Sequence, residues 1–263
     1  MVWRSRALCG ILFVAIVGAS STAAQREPLR VLVYDAPGVG ASAIDSAMAA
    51  FTAAEGVEAR RVTPADIEAG ALDDADVALF TGGRGSVQGR LLGESGRERV
   101  REFVRRGGGY LGICAGSYLA LQGEPEFYKV AIVAARNLTG DRWRRGTRSV
   151  SVRPTDGSDA VTLHYANGPL IAPDSVEGLA PFVSLATFDA DVHWERYDTH
   201  AGEMPGTVAV AAARFGRGRM ILFSPNPTLE PGRPELLLRA MRWVATTGPV
   251  APGLRWRDVF GSR

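Results

Sequence analysis

The sequence predicts an α/β fold with an open, doubly wound, mostly parallel sheet and a β-rich second half. Three observations predict it. Short apolar runs alternate with helix-like spacing as far as residue 125. Those runs are apolar throughout, as strands buried on both faces must be. Beyond residue 125 the helical spacing gives way to short strands separated by turns.

Each element follows in order. Arg30-Val31-Leu32-Val33-Tyr34 is a strand that ends at the turn cluster Asp35-Ala36-Pro37-Gly38. Ser42 is placed to cap a helix reaching Glu55, with Ile44, Ala47, Met48 and Phe51 on one face. Val57 to Val62 is the second strand and Val77-Ala78-Leu79-Phe80 the third, which stops at Thr81-Gly82-Gly83-Arg84-Gly85. A helix from about Arg97 to Arg106 turns Val100, Phe103 and Val104 inward, and Gly107-Gly108-Gly109 then leads into Tyr110-Leu111. Later strands are expected over Lys129–Ala134, Ser149–Arg153, Val161–Tyr165, Pro181–Phe188, Thr207–Arg214 and Met220–Phe223. A last helix over Pro234–Ala245 carries the apolar stripe Leu236, Leu237, Ala240 and Val244. The arrangement is flavodoxin-like.

The most informative stretch is Gly112-Ile113-Cys114-Ala115-Gly116. An apolar strand precedes it and the helical start Ser117-Tyr118-Leu119 follows, the strand–turn–helix context of a nucleophile elbow. The elbow holds its central side chain exposed in a strained conformation beside the first amides of a helix. Such amides stabilise a thiolate. A small buried cysteine beside a tight turn is the plainer reading.

Arg4, Arg6, the apolar run from Ala7 to Ala19 and the small residues Ser21-Thr22-Ala23-Ala24 predict a signal peptide over residues 1–24 and an exported protein, periplasmic or extracellular. An uncleaved membrane anchor is the alternative. One domain over 29–247 and a C-terminal tail over 248–263 complete the chain. Losing Arg4 and Arg6 brings the net charge from +2 to about zero. Bulk charge therefore predicts no nucleic-acid partner and no membrane partner beyond the signal peptide. Of the two cysteines only Cys114 remains, so no internal disulfide forms.

In an open α/β sheet, ligands gather outside the carboxyl ends of the strands. There Gly82 and Gly83, with the Ala115 amide, are candidates for an oxyanion hole, or simply for a tight turn. Cys114 in its elbow and the Gly-Gly loop after the preceding strand resemble the class I glutamine amidotransferase-like superfamily. His164-Tyr165-Ala166-Asn167-Gly168-Pro169 and Ser224-Pro225-Asn226-Pro227 are similar to its biotin–protein ligase N-terminal-like branch, over about residues 29–245. The resemblance implies a histidine just after the last strand to serve the cysteine, and a glutamate two residues on. Here those positions hold Asn226 and Thr228, and asparagine cannot accept the thiol proton. His164 is the candidate relocated base and Asp35 a candidate partner of the thiol. Tyr165, Asn167, Gly168 and Asn226 are candidate ligand-binding residues.

Weaker signals run elsewhere. Gly38-Val39-Gly40-Ala41-Ser42-Ala43 fits a dinucleotide fingerprint, but Arg60 and Arg61 stand where an acidic residue should close the second strand. No cofactor is expected, and the segment reads as a loop over the cleft. Asp191, His193 and Glu195 share one face of an extended run, followed by Asp198 and His200, yet no metal-ligand spacing is met and no metal is expected. Arg136, Arg142, Arg144, Arg145 and Arg148, with Trp143, offer contact to an anionic glycan or form a solvated loop.

Two functions are expected. The favoured one is an exported amidotransferase-like domain without a glutaminase triad, binding a small ligand or partner in its cleft. The alternative is a cysteine-dependent hydrolase or amidase using Cys114, the Ala115 and Gly83 amides, and His164.

Overall fold

A computed structural model describes residues 27–123, 128–197 and 199–261, together with Met1. The expected signal peptide, Met1 apart, lies outside the described residues. No helix among them is long and apolar enough to cross a membrane.

Eleven strands form one mixed sheet. Strands β1 (Leu29–Tyr34), β2 (Val57–Val62), β3 (Val77–Phe80) and β4 (Gly109–Ile113) are joined by α1 (Ala41–Thr52), the short α2 (Pro64–Glu68) and α3 (Gly85–Arg105). They pair in parallel in the order β2-β1-β3-β4, and β11 (Gly218–Phe223) adds a fifth parallel strand beside β4. From there pairing is antiparallel through β10 (Val208–Phe215), β9 (Val183–Phe188), β6 (Thr147–Pro154) and β7 (Val161–Ala166). Two short strands, β5 (Ala135–Asn137) and β8 (Ile171–Pro173), pair with each other and reach β10.

Alternation along each strand sends side chains into two cores. Val31, Val33, Leu79, Leu111, Ile113 and Phe223 pack against α1 and α5 (Pro234–Val244). Leu32, Tyr34, Phe80, Tyr110 and Leu222 face α2, α3 and α4 (Ala115–Ala120).

The short elements α2, β5 and β8 were not expected from the sequence, and three further elements differ from the expectation. Helix α3 begins twelve residues before Arg97 and bends at Gly93, whose φ of 64° and ψ of 177° are not helical. Its glycines hide the first half from any propensity reading, and Gly89 is needed because a Cβ there would lie 2.0 Å from the Tyr128 carbonyl. The apolar run 129–134 forms no strand. Its amides bond the last carbonyls of α4 instead, Val130 to Leu119 at 2.7 Å and Ile132 to Ala120 at 3.0 Å. The segment expected to be a tail carries α6 (Trp256–Phe260), whose Trp256, Val259 and Phe260 are buried against Phe223.

Candidate functional site

The carboxyl ends of β1, β3, β4 and β11 bring the loops after Tyr34, Phe80, Ile113 and Phe223 to one end of the sheet. At the centre, Cys114 has φ 51° and ψ −104°, a left-handed conformation costly for a side chain and held here by its surroundings. Its amide bonds the Phe223 carbonyl at 2.8 Å, and the Ser117 hydroxyl donates to both Gly112 and Phe223 carbonyls. Gly116 lets α4 dock so closely on β3 that a Cβ there would lie 1.8 Å from the Phe80 carbonyl oxygen.

The thiol makes one hydrogen bond and has two backbone amides beside it. Sγ donates to the Ala166 carbonyl at 3.4 Å, and the Gly83 and Ala115 amides favour its thiolate form. The residue keeps intermediate exposure, but its sulfur lies in dense surroundings. Burial pushes the thiol up to about 11, and the two amides pull against that without overcoming it.

Gly82 and Gly83 stand where the sequence placed them. Gly83 has φ 142°, and a Cβ would lie 2.1 Å from the Gly38 carbonyl, so only glycine brings its amide to the sulfur. The Gly38–Gly40 segment folds over this loop through a Val39–Gly83 bridge and a Gly40 amide on the Gly82 carbonyl. An amide that a dinucleotide fingerprint would offer to phosphate is thus already engaged.

The turn after β7 supplies the thiol's acceptor. Asn167 takes φ 55° and closes a reciprocal pair with Gly146, its side chain accepting the Gly146 amide at 2.7 Å. The buried Tyr165 hydroxyl donates to the Gly168 carbonyl at 2.9 Å. Gly168 packs on Ser224, where a Cβ would lie 2.2 Å from the Ser224 carbonyl. Tyr165, Asn167 and Gly168 therefore shape the wall beside the sulfur.

His164, Asp35 and Asn226 are occupied elsewhere. The His164 Nδ1 sits 3.0 Å from the Glu230 carbonyl, and its backbone carbonyl accepts the Asn226 amide. Asp35 pairs with Arg61 at 3.2 Å. Asn226 is buried, and its Oδ1 accepts from the Thr228 amide, the Thr228 hydroxyl and the Leu229 amide. That side chain organises its own loop. Among the described residues no histidine or carboxylate bonds Sγ.

Tyr118 and Arg145 escaped the sequence reading as site residues. Tyr118 lies one helical turn beyond Cys114, a spacing that points to the same face. Its hydroxyl is buried and unpartnered, and burial, with Tyr165 and Cys114 nearby, pushes the phenol well above its usual value while Arg145 opposes the shift. Arg145 is fully buried, bonding the Val192 and His200 carbonyls and Glu203 Oε2, with Asp191 at 3.5 Å. Nothing in its sequence neighbourhood distinguishes it from the other arginines. Arg142 bonds His200 and Glu203, and Arg144 covers Trp143 and Tyr197, so much of the basic cluster is engaged within the fold. His193 Nδ1 lies 3.3 Å from Asp191. No group of three His, Cys, Asp or Glu among the described residues is placed to hold a metal, and Asp198 lies outside them.

Comparisons with known proteins agree with this geometry. The biotin-protein ligase N-terminal family model matches residues 29–142. No curated protein matches the chain. A ThuA-like protein from Parabacteroides merdae superposes with a TM-score of 0.55 at 14% identity, covering 86% of this chain and 94% of that one. A catalytic mutant of the Gan42B β-galactosidase from G. stearothermophilus gives 0.53 at 12% identity over 84% of this chain. A β-galactosidase from Bacillus circulans sp. alkalophilus gives 0.50 at 13% over 82%. The chain spans about 30% of either β-galactosidase, and likeness at these identities is likeness of fold. Residues 29–142 thus match the biotin-protein ligase N-terminal family model, and the chain shares its fold with the ThuA-like protein.

Proposed function

We infer that this is an exported, non-glutaminase member of its fold that binds a small ligand or partner in the cleft at Cys114. The observation that carries the inference is the partner set of the thiol. Sγ holds its proton toward the Ala166 carbonyl, and Asn226, at the position where the family places its base, is committed to Thr228 and Leu229. A thiol raised to about 11 is protonated at neutral pH and a poor nucleophile. The groups around it that donate hydrogen bonds, the Gly83 and Ala115 amides and the Tyr118 hydroxyl, favour a ligand rich in acceptors, such as a carboxylate or carboxamide. Export rests on the charged, apolar and small-residue order of residues 1–24.

The two amides converging on Sγ favour a second reading, a cysteine-dependent hydrolase or amidase with His164 as relocated base. Ammonia release from L-glutamine tests the first: wild type and Cys114→Ala give the same background. A rate that depends on Cys114 overturns it. Hydrolysis of p-nitrophenyl acetate that needs both Cys114 and His164 establishes the second.

A further inference from the structure

The end of the sheet opposite the cleft is unevenly charged. The β10–β11 hairpin turns there, between Phe215 and Gly218, beside the last turn of α3. Arg214 and Arg219 stand directly opposite each other across that hairpin. Like charges facing each other across an antiparallel pair destabilise it, and while Arg219 is drawn onto the Trp243 ring at 4.8 Å, Arg214 has no aromatic or acidic partner among the described residues. Arg214 donates only to the Gly216 carbonyl, Arg217 only to the Arg106 carbonyl, and Arg219 only to the Thr246 hydroxyl and the Gly248 and Pro249 carbonyls. None of the three pairs with a carboxylate among the described residues. Arg217 does help to close the carboxyl end of α3, but no such role falls to Arg214.

Arg214 lines a groove of about 410 Å³ together with Arg105, Gly178, Leu179, Ala180, Phe215 and Gly216, with no acidic residue in the lining. Arg105 covers the Phe215 ring at 5.5 Å. Most acids at this end are matched, Asp73 by Arg106, Asp74 and Asp76 by Arg30, and Glu98 and Glu102 by Arg105, while Glu177 beside Gly178 has no ion pair among the described residues. The local excess is positive although the chain as a whole is nearly neutral.

The chain also enters the fold at this end. β1 starts at Leu29, three strands from β11, about 14 Å away at the usual strand spacing. Only residues 25–28 separate it from the apolar leader, so a retained leader would tether this end to a bilayer.

The geometry points to a docking surface for anionic phospholipid headgroups, formed by Arg214 and Arg217 at the hairpin beside the Arg105–Phe215 groove. Headgroup phosphates meet the arginines, Leu179 and Phe215 face the interface, and the Cys114 cleft points away from the membrane. The surface is independent of what the cleft binds.

Vesicle co-sedimentation of the full chain tests it, on phosphatidylcholine alone and with about one-third phosphatidylglycerol, at about 0.05 and 0.5 M salt. Arg4 and Arg6 of the leader add the same anionic preference to wild type and to every variant, so the readout is the difference in preference between wild type and variant. Wild type partitions preferentially onto the anionic vesicles at low salt and loses the preference at high salt. Arg214→Gln with Arg217→Gln lowers that preference about thirty-fold, and Arg214→Gln alone about five-fold, at about 1 kcal/mol per basic residue near the surface. Arg60→Gln, the same charge change on β2, leaves it intact. Equal partition onto both vesicles, an undiminished preference in the folded Arg214→Gln variant, or an equal loss in Arg60→Gln overturns the proposal. Saturation by soluble glycerol phosphate without vesicle discrimination also overturns it, and assigns the groove to a free phosphate.

Discussion

Cys114 sits in a backbone conformation that only its neighbours make tolerable, and those neighbours also set its chemistry. Gly83 is the most exacting of them. Gly83→Ala is expected to lower stability by roughly 1–3 kcal/mol, from the left-handed strain and the clash with the Gly38 carbonyl, measured by urea denaturation. A variant as stable as wild type would show that the loop relaxes easily and that the amide is not held against the sulfur. Arg145 is a second such residue. Arg145→Met leaves Glu203 and Asp191 without their buried cation and costs about 3–5 kcal/mol. The strand–turn–helix at Cys114 was legible, because glycines and a strand–helix switch surround one cysteine. The commitments of Asn226 and His164 were not, since hydrogen bonds to Leu229 and Glu230 leave no mark in residue type.

At the scale of elements, α6 shows what periodicity misses. Five residues are too few to display a helical period, and their docking depends on Phe223 and Asp156, distant in sequence. Phe260→Ala is expected to cost about 3 kcal/mol through the lost contact with Phe223 and Trp256. Asp156 makes the same docking pH-dependent. Burial acts to raise its carboxyl, but the Arg257 guanidinium and the Ser158 hydroxyl, with backbone amides of both residues, hold it well below the carboxylate range. A lowered native value gives stability that is present above the unfolded value near 3.8 and is lost as pH falls through and below it. Thermal melts between pH 5 and 2 should therefore fall less steeply for Asp156→Asn than for wild type. The run 129–134 teaches the complementary lesson: β-branched composition suited a strand, but the free carbonyls ending α4 claimed its amides.

For the whole molecule, the change from parallel to antiparallel pairing falls within one continuous sheet, between β11 and β10. The composition change near residue 125 marked the change of architecture, but the strand order could not be read from it, because β11 returns from the chain's end to lie beside β4. Shared strands and a shared core predict one cooperative unfolding transition, with far-UV circular dichroism and tryptophan fluorescence coincident in urea. Two separated transitions would show that the β-rich half folds independently. The same sheet places the Cys114 loops and the β10–β11 hairpin at opposite ends, so ligand and membrane readouts can be separated by variants. The central claim concerns the thiol, and alkylation of Cys114 by iodoacetamide from pH 6 to 10 tests it most directly. The rate is expected to rise about tenfold per pH unit without a plateau, as for a thiol titrating near 11, and to be unchanged by His164→Ala. A plateau beginning below neutrality and lost in His164→Ala would contradict it.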